Sequence, residues 1–282
     1  MPVFKTQKAL QVEINNSQNQ SKKIGFVPTM GALHQGHLSL LEQSLYENEI
    51  TVLSIFVNPT QFNNADDLKK YPRTLEKDLA LVEKLNKNIL IYAPSISDIY
   101  EDQTISTSFD YDGLENQMEG KHRPGHFDGV GTIVKKLFEI VKPANAYFGE
   151  KDFQQLQIIR KLIVKHKIPV NVIPCEIYRE TSGLAMSSRN ERLSESARKE
   201  AKLIYEILLQ AKEKFMRKSA KEVTQFVNRE FKKHKNFTLE YFDIADEETL
   251  LTCKRKLKSK NYRGFIAVFI ENIRLIDNIS LK

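Results

Sequence analysis

The sequence predicts an α/β protein: a Rossmann-like parallel sheet with helices on both faces, followed by a smaller C-terminal α+β domain. Three observations lead there. Apolar runs of strand length alternate with helically spaced segments over the first two-thirds of the chain. Several of those runs are nearly continuous in β-branched and aliphatic residues, as strands buried on both faces of a parallel sheet must be. Past about Asn190 the alternation stops, and two helix-like segments precede three strand-like ones.

The elements follow in order. KKIGFVPTM is a short strand leading into the glycine-bounded loop GALHQGH. LSLLEQSLYEN then spaces Leu38, Leu41, Leu45 and Tyr46 as a helix does. ITVLSIFV is a strand, LEKDLALVEKLN a helix and ILIYAP a strand. DGVGTIVKKLFEIVK (helix), AYFGE (strand), DFQQLQIIRKLIVKHK (helix) and PVNVIPCEI (strand) continue the alternation. Repeated β-α-β units return each strand in the same direction, and ligands of such sheets bind beyond the carboxyl ends of the strands. The polar segments MGALHQGH, NPTQF and GEKD each follow a strand directly, so they are expected at one end of one sheet.

Beyond Asn190, SESARKEAKLIYEILLQAKEKFMR reads as one long amphipathic helix opened by Ser194 as N-cap. KEVTQFVNREFKKH is a second helix, and FTLEYFDIAD, RGFIAVFIE and IRLIDNISL are strands, the last two forming a hairpin across Asn272. The domain boundary falls between residues 176 and 192; we take residues 1–176 as the catalytic domain and 177–282 as the C-terminal domain.

Composition narrows the function classes. With 41% hydrophobic and 28% charged residues over 282 positions, the chain has a core to bury, which excludes disorder. No segment approaches the roughly 20 apolar residues of a membrane span, and the N-terminus has no secretory apolar region. Cys175 and Cys253 stand alone with no Cys-x-x-Cys pair, which points to reduced thiols and a cytoplasmic enzyme. The net charge of +7 raises a nucleic-acid reading. The lysine excess lies in KEKFMRKSAKE and KRKLKSK without interleaved aromatics, so a solvated basic surface explains it better.

The chemistry concentrates in Met30-Gly31-Ala32-Leu33-His34-Gln35-Gly36-His37. His34 and His37, three apart at a strand-to-helix turn, face one side of the first helical turn. The N–H groups there suit a phosphate. Gly36 lets the backbone approach a ligand. The competing uses are a metal site, which needs further ligands, and an incidental surface pair. Gly149-Glu150-Lys151-Asp152 ends a strand and opens a helix, placing Lys151 either at a phosphate or in a solvated pair with Asp152. Ser187-Ser188-Arg189 can close over a triphosphate or be only a turn. Asn58, Gln61 and Gln155 supply neutral amides for a small polar substrate. EGKHRPGHFDGV, with Lys121, His122, Arg123 and His126, is a connector or a wall of the anion site.

Together, VPTMGALHQGH, SIFVNPTQF, YPRTLEKD, EGKHRPGHFDGV, YFGEKDFQQLQIIRKL, GLAMSSRN and RLIDN closely resemble the pantoate–β-alanine ligase family, in order from about residue 24 to 278. The His-x-x-His loop alone is shared with a wider superfamily of nucleotidyltransferases and class I aminoacyl-tRNA synthetases. The resemblance implies that ATP and (R)-pantoate form a pantoyl-adenylate and pyrophosphate, and that β-alanine then yields pantothenate and AMP. It implies ATP contacts from Met30 through His37, from Gly149, Glu150, Lys151 and Asp152, and from Met186, Ser187, Ser188 and Arg189. His37 is the expected catalytic histidine and His34 its companion, with Lys151 and Arg189 sharing the charge. Gln61 and Gln155 are expected to hold pantoate, and a backbone contact to ATP falls on Tyr178. It further implies that magnesium arrives with ATP, with no protein ligand to name. A homodimer formed through the N-terminal domain is implied too, along with a C-terminal domain that moves over the site. Two other readings stay in view: a nucleotidyltransferase making a dinucleotide, and a basic nucleic-acid-binding protein on an inherited fold.

Overall fold

Repeated crossovers of the kind seen in the sequence require a sheet whose strands all run one way, and the computed structural model, which describes residues 1–101 and 103–282, contains one. The chain divides into two units. The first comprises Met1–Glu115, Gly120–Glu150 and Gln155–Glu176. The second comprises Asn116–Glu119, Lys151–Gln154 and Ile177–Lys282. Two short pieces of the first 176 residues thus belong with the C-terminal part, among them Lys151 and Asp152.

In chain order, β1 (Val3–Phe4), α1 (Gln7–Asn19), β2 (Ile24–Thr29), α2 (Gln35–Glu47) and β3 (Ile50–Ile55) come first. They are followed by α3 (Ala65–Lys70), α4 (Leu75–Leu85), β4 (Leu90–Tyr92), α5 (Ile96–Tyr100) and α6 (Met118–His122). Then come α7 (His126–Val141), β5 (Asn145–Gly149), α8 (Phe153–His166) and β6 (Asn171–Cys175). The six strands form one parallel sheet in the order β1-β4-β3-β2-β5-β6. From β2 the chain winds outward through β3 to β4, then returns past β2 to β5 and β6. Right-handed crossovers therefore put α2 and α4 on one face and α7 and α8 on the other. Packing agrees. Leu38 and Leu41 of α2 and Val82 of α4 share a core with Val27, Leu53 and Ile91. Phe138 of α7 meets Phe26 and Phe148 edge to face, at 6.3 and 6.5 Å between ring centroids.

In the second unit, α9 (Glu195–Glu200), α10 (Leu203–Arg217) and α11 (Ala220–Lys232) are followed by β7 (Phe237–Asp246), β8 (Tyr262–Ile270) and β9 (Ile273–Ser280). The three strands make an antiparallel sheet in sequence order. Ile204, Ile207, Leu208 and Phe215 of α10 and Val223, Val227 and Phe231 of α11 share a core with Ile244, Ile266 and Val268. Burying one such side chain contributes about 1.5–3 kcal/mol. The β8–β9 hairpin turns at Glu271 and Asn272, both with positive φ (49° and 63°), matching the expected Asn272 turn.

Several elements differ from the sequence reading, the short helices α3, α5 and α6 among them. The N-terminal residues form β1 and α1, because α1 buries Leu10 and Ile14 despite its many polar residues. The long helix after Ser194 is two helices, since Ile204 and Tyr205 bond to carbonyls three residues back and break the register at Ala201–Lys202. Among the described residues no helix is long and apolar enough to cross a membrane.

Candidate active site

β2 and β5 are neighbours from which the chain departs in opposite directions, and a crevice opens at the carboxyl ends of such a pair. Met30–His37 follows β2, while Gly149 and Glu150 end β5. Both loops of the first unit therefore emerge at that point.

Between β2 and α2 the chain passes through Gly31 (φ +84°) and Ala32 (φ +50°). A left-handed alanine costs about 1–2 kcal/mol, so the loop needs an external hold. Asp78 of α4 provides it. One carboxylate oxygen accepts the Ala32 N–H at 3.0 Å and the other accepts the Leu33 N–H at 2.8 Å. The Thr74 hydroxyl also donates to Asp78, at 3.2 Å. Asp78 is only 3% exposed, so these donors replace the water it has lost. Ala32 and Leu33 are themselves buried. Their N–H groups are spent on Asp78. In the first turn of α2, the N–H groups of Gln35 and Gly36 precede the first helical acceptor.

His34 occupies the N-cap position of α2 with extended backbone (φ −144°, ψ 176°), and His37 lies three residues on. Their rings stack with centroids 4.0 Å apart. The His34 N–H donates to Nδ1 of His37 at 3.3 Å. An imidazole nitrogen that accepts carries no proton, so neutral His37 holds its proton on Nε2 and is a donor there.

After β3, a 3-10 turn at Pro59–Gln61 carries the amide residues. Gln61 is held through its side-chain amide and its carbonyl. Its Oε1 accepts from Asn58 at 3.2 Å, and its Nε2 donates to the Met30 sulfur at 3.1 Å. Its carbonyl accepts from Nδ1 of His126 at 2.8 Å and from Arg123 at 3.3 Å. The RPGHF segment thus holds Gln61, a structural use that the connector and wall readings both missed. Asn58 has internal partners of its own. It is 1% exposed, donates to the Gly129 carbonyl at 3.1 Å, and accepts from the Tyr100 hydroxyl at 2.5 Å and from Thr60 at 3.2 Å. Its amide is bonded inside the protein, where it also holds Gln61. Burial pushes the Tyr100 phenol above its ordinary value, which keeps it a donor. A methyl group at Gly129 would lie 2.4 Å from the Thr60 carbonyl oxygen, so α7 approaches this turn only through glycine. Gln155, on α8, is half-buried.

In the second unit, Lys151 and Asp152 lie in a 3-10 turn before α8. Their ammonium–carboxylate distance is 3.9 Å, a loose contact. The Lys151 carbonyl accepts from Asn278 at 2.9 Å. Tyr178, 43% exposed, is tied through its carbonyl to the Met186 N–H at 3.0 Å across a turn at Gly183. The Ser187 hydroxyl accepts the Arg189 N–H at 3.3 Å and caps the 3-10 turn Ser188–Arg192, in which Ser188 is buried and Arg189 partly exposed.

Both cysteines are buried and unpaired with each other. Burial, aided by Glu47 and Glu150, pushes the Cys175 thiol up to about 12. Among the described residues no group of three or more His, Cys, Asp or Glu is placed to hold a metal ion.

The sequence reading missed Asp78, Tyr100 and Gly129, and assigned Asn278 no task. Asp78 left a trace: an acidic residue on the same face of α4 as buried Val82 needs a partner. The others act through contacts that no local pattern announces.

A family model described as Pantoate-beta-alanine ligase matches residues 2–280. The pantothenate synthetase of Flavobacterium psychrophilum is 63% identical over 282 residues, covering the whole of both chains, and that of Christiangramia forsetii is 53% identical over the same length. Among solved structures, the pantothenate synthetase of Thermus thermophilus superposes with a TM-score of 0.91 at 37% identity, covering 100% of this chain and 99% of that one. The pantoate-β-alanine ligase of Francisella tularensis, crystallised with β-γ ATP and β-alanine, gives 0.80 at 37% identity, covering 100% and 98%.

Proposed function

Because the chain belongs to the pantoate–β-alanine ligase family, we propose that it joins (R)-pantoate to β-alanine at the expense of ATP through a pantoyl-adenylate, with the residues described above in the following roles. A pantoate carboxylate oxygen attacks the α-phosphorus of ATP. The new C–O–P linkage forms as the bond to the β-phosphate oxygen breaks, and pyrophosphate leaves. The β-alanine amine, having lost its proton, then attacks the acyl carbon, and AMP departs with the bridging oxygen.

The observation that supports this reading best is the anchored turn at the mouth of β2. A helix N-terminus with orphan N–H groups and a His37 Nε2–H donor suits phosphate oxygens. Phosphoryl chemistry of this kind asks a protein mainly to position reactants and offset charge. In the first unit, His34 and His37 do this for ATP. Gln61, locked by Asn58, Met30, Arg123 and His126, together with Gln155, binds pantoate by hydrogen bonds. In the second unit, Lys151 and Arg189 supply positive charge to the phosphates, and Tyr178 and Met186 to Ser188 shape the nucleotide site. ATP enters as its magnesium complex. The ion is part of the substrate and keeps much of its water, since the donors here suit phosphate oxygens rather than a cation.

Pantoate labelled with ¹⁸O in its carboxylate tests the first step. Label recovered in AMP supports adenylation; label in inorganic phosphate, or in a stable AMP-containing product, refutes it. We also propose a cytoplasmic homodimer on the family resemblance. Light scattering that returned the mass of one chain would refute the dimer.

A further inference from the structure

The second unit contains a motif with no assigned task, Arg274-Leu275-Ile276-Asp277-Asn278 on β9. Alternation along a strand sends Arg274 and Asn278 to one face and Leu275 and Asp277 to the other. Leu275 joins the helical core, and Asp277 on that side takes the Arg179 guanidinium in two bonds, at 2.7 and 3.0 Å. The opposite face grips the two short pieces that the unit draws from earlier in the chain. Arg274 holds both carboxylate oxygens of Glu119, at 2.7 and 2.8 Å. Asn278 donates to the carbonyl of Lys151 at 2.9 Å. Gln154 ties the two pieces together, accepting from the Glu119 N–H at 2.9 Å and donating to the Gln117 carbonyl at 2.8 Å.

The Asn278 amide has only one workable orientation. Its oxygen accepts from Arg263 at 2.6 Å, and arginine has no acceptor, so the NH₂ must face Lys151. Arg263 also lies over the Phe153 ring at 4.0 Å, and that ring packs against Phe265, the residue opposite Asn278 in the ladder. Asn278 and Arg263 are 1% and 6% exposed. The Lys151 backbone therefore rests on a buried, fully specified set of contacts, and its side chain extends from that fixed point to within 3.9 Å of the Asp152 carboxylate.

We propose that Asn278 is a positioning residue for the ligation reaction, acting through the Lys151 carbonyl to hold the ammonium group at the phosphates of ATP. This rests on the reading of Lys151 given above. Misplacing a charge-stabilising group by about 1 Å costs up to about 100-fold in rate. Asn278→Ala removes the bond. Asn278→Asp keeps the shape and the Arg263 partner but sets an acceptor against the carbonyl, and carries the same readouts if the alanine variant does not fold.

The test measures kcat, KM for pantoate and amide hydrogen exchange in residues 150–155, each in the wild-type and Lys151→Ala backgrounds. The expected result is a fall in kcat of about 10- to 100-fold, an unchanged KM for pantoate, and faster exchange in that segment. In the Lys151→Ala background the further loss should be under about threefold, because two residues acting through one group do not add. Wild-type kcat in the folded variant, or the full loss persisting without Lys151, overturns the proposal. Lysine removal that leaves turnover intact is a separate result, seen before Asn278 is altered. It refutes the reading of Lys151 and the proposal with it.

Discussion

The two units secure their candidate site residues by different means. In the first, the histidine loop and the Gln61 turn hang on strand ends, and their supports come from other loops and helices of the same unit, up to 65 residues away in the sequence. Asp78 is 45 and 46 residues from the amides it holds, and Asn58 is three from Gln61. In the second, Lys151 is held by Asn278 from 127 residues away, Arg179 by Asp277 from 98, and Glu119 by Arg274 from 155. One region is organised by local backbone geometry corrected at a strained alanine. The other adds to its local turns at Gly183 and Ser187 the polar side chains of a single edge strand. The supports of the first unit form with the parallel sheet, whereas those of the second exist only once the C-terminal sheet is complete.

The largest effect that would break the comparison comes from the groups each strategy serves. His37→Ala and Lys151→Ala should each lower turnover about 10²–10³-fold, the usual cost of one charge-stabilising donor. A wild-type rate in either variant removes that region from the chemistry. Next is the anchor of the first unit. In Asp78→Asn an amide NH₂ faces a backbone N–H, so a buried donor goes unpaired at a cost of about 1–3 kcal/mol. The variant should unfold at lower urea and bind ATP more weakly while its KM for pantoate holds. Unaltered ATP binding would mean that the carboxylate does not set the loop.

A smaller change sharpens the picture of the Gln61 turn. Tyr100→Phe deletes the donor to Asn58 and should cost about 0.5–1.5 kcal/mol of stability. The KM for pantoate should rise by less than about tenfold; a change confined to ATP would misplace Gln61. The smallest effect concerns Cys175. With its pKa raised to about 12 by burial, the folded thiol is protonated at pH 8 and is a poor nucleophile. Mass spectrometry should find it unlabelled by iodoacetamide in native protein and labelled in urea. The same shift has a sign for stability: the contribution is complete below the unfolded thiol value of about 8.5 and is lost as pH rises toward 12.

This contrast also explains what could be read in advance. The parallel sheet, the order of its helices and the small antiparallel sheet were legible because apolar periodicity encodes burial locally. His34 and His37 stood out because a glycine-rich turn between strand and helix has its own composition. Asn58 was recognised as a residue of interest but its internal partners were not, since an amide's type does not name the neighbours it bonds. Asn278 sat in a motif with no stated purpose, because its partner lies 127 residues upstream. The break between α9 and α10 was hidden by continuous helical spacing that tolerates a three-residue step.

The central claim, activation of a carboxylate as its adenylate, is tested most directly by ATP–pyrophosphate exchange with magnesium and pantoate but without β-alanine. Exchange that requires pantoate is the predicted result, because the first step is then reversible and complete in itself. Absence of exchange from protein that binds both ATP and pantoate would contradict the account.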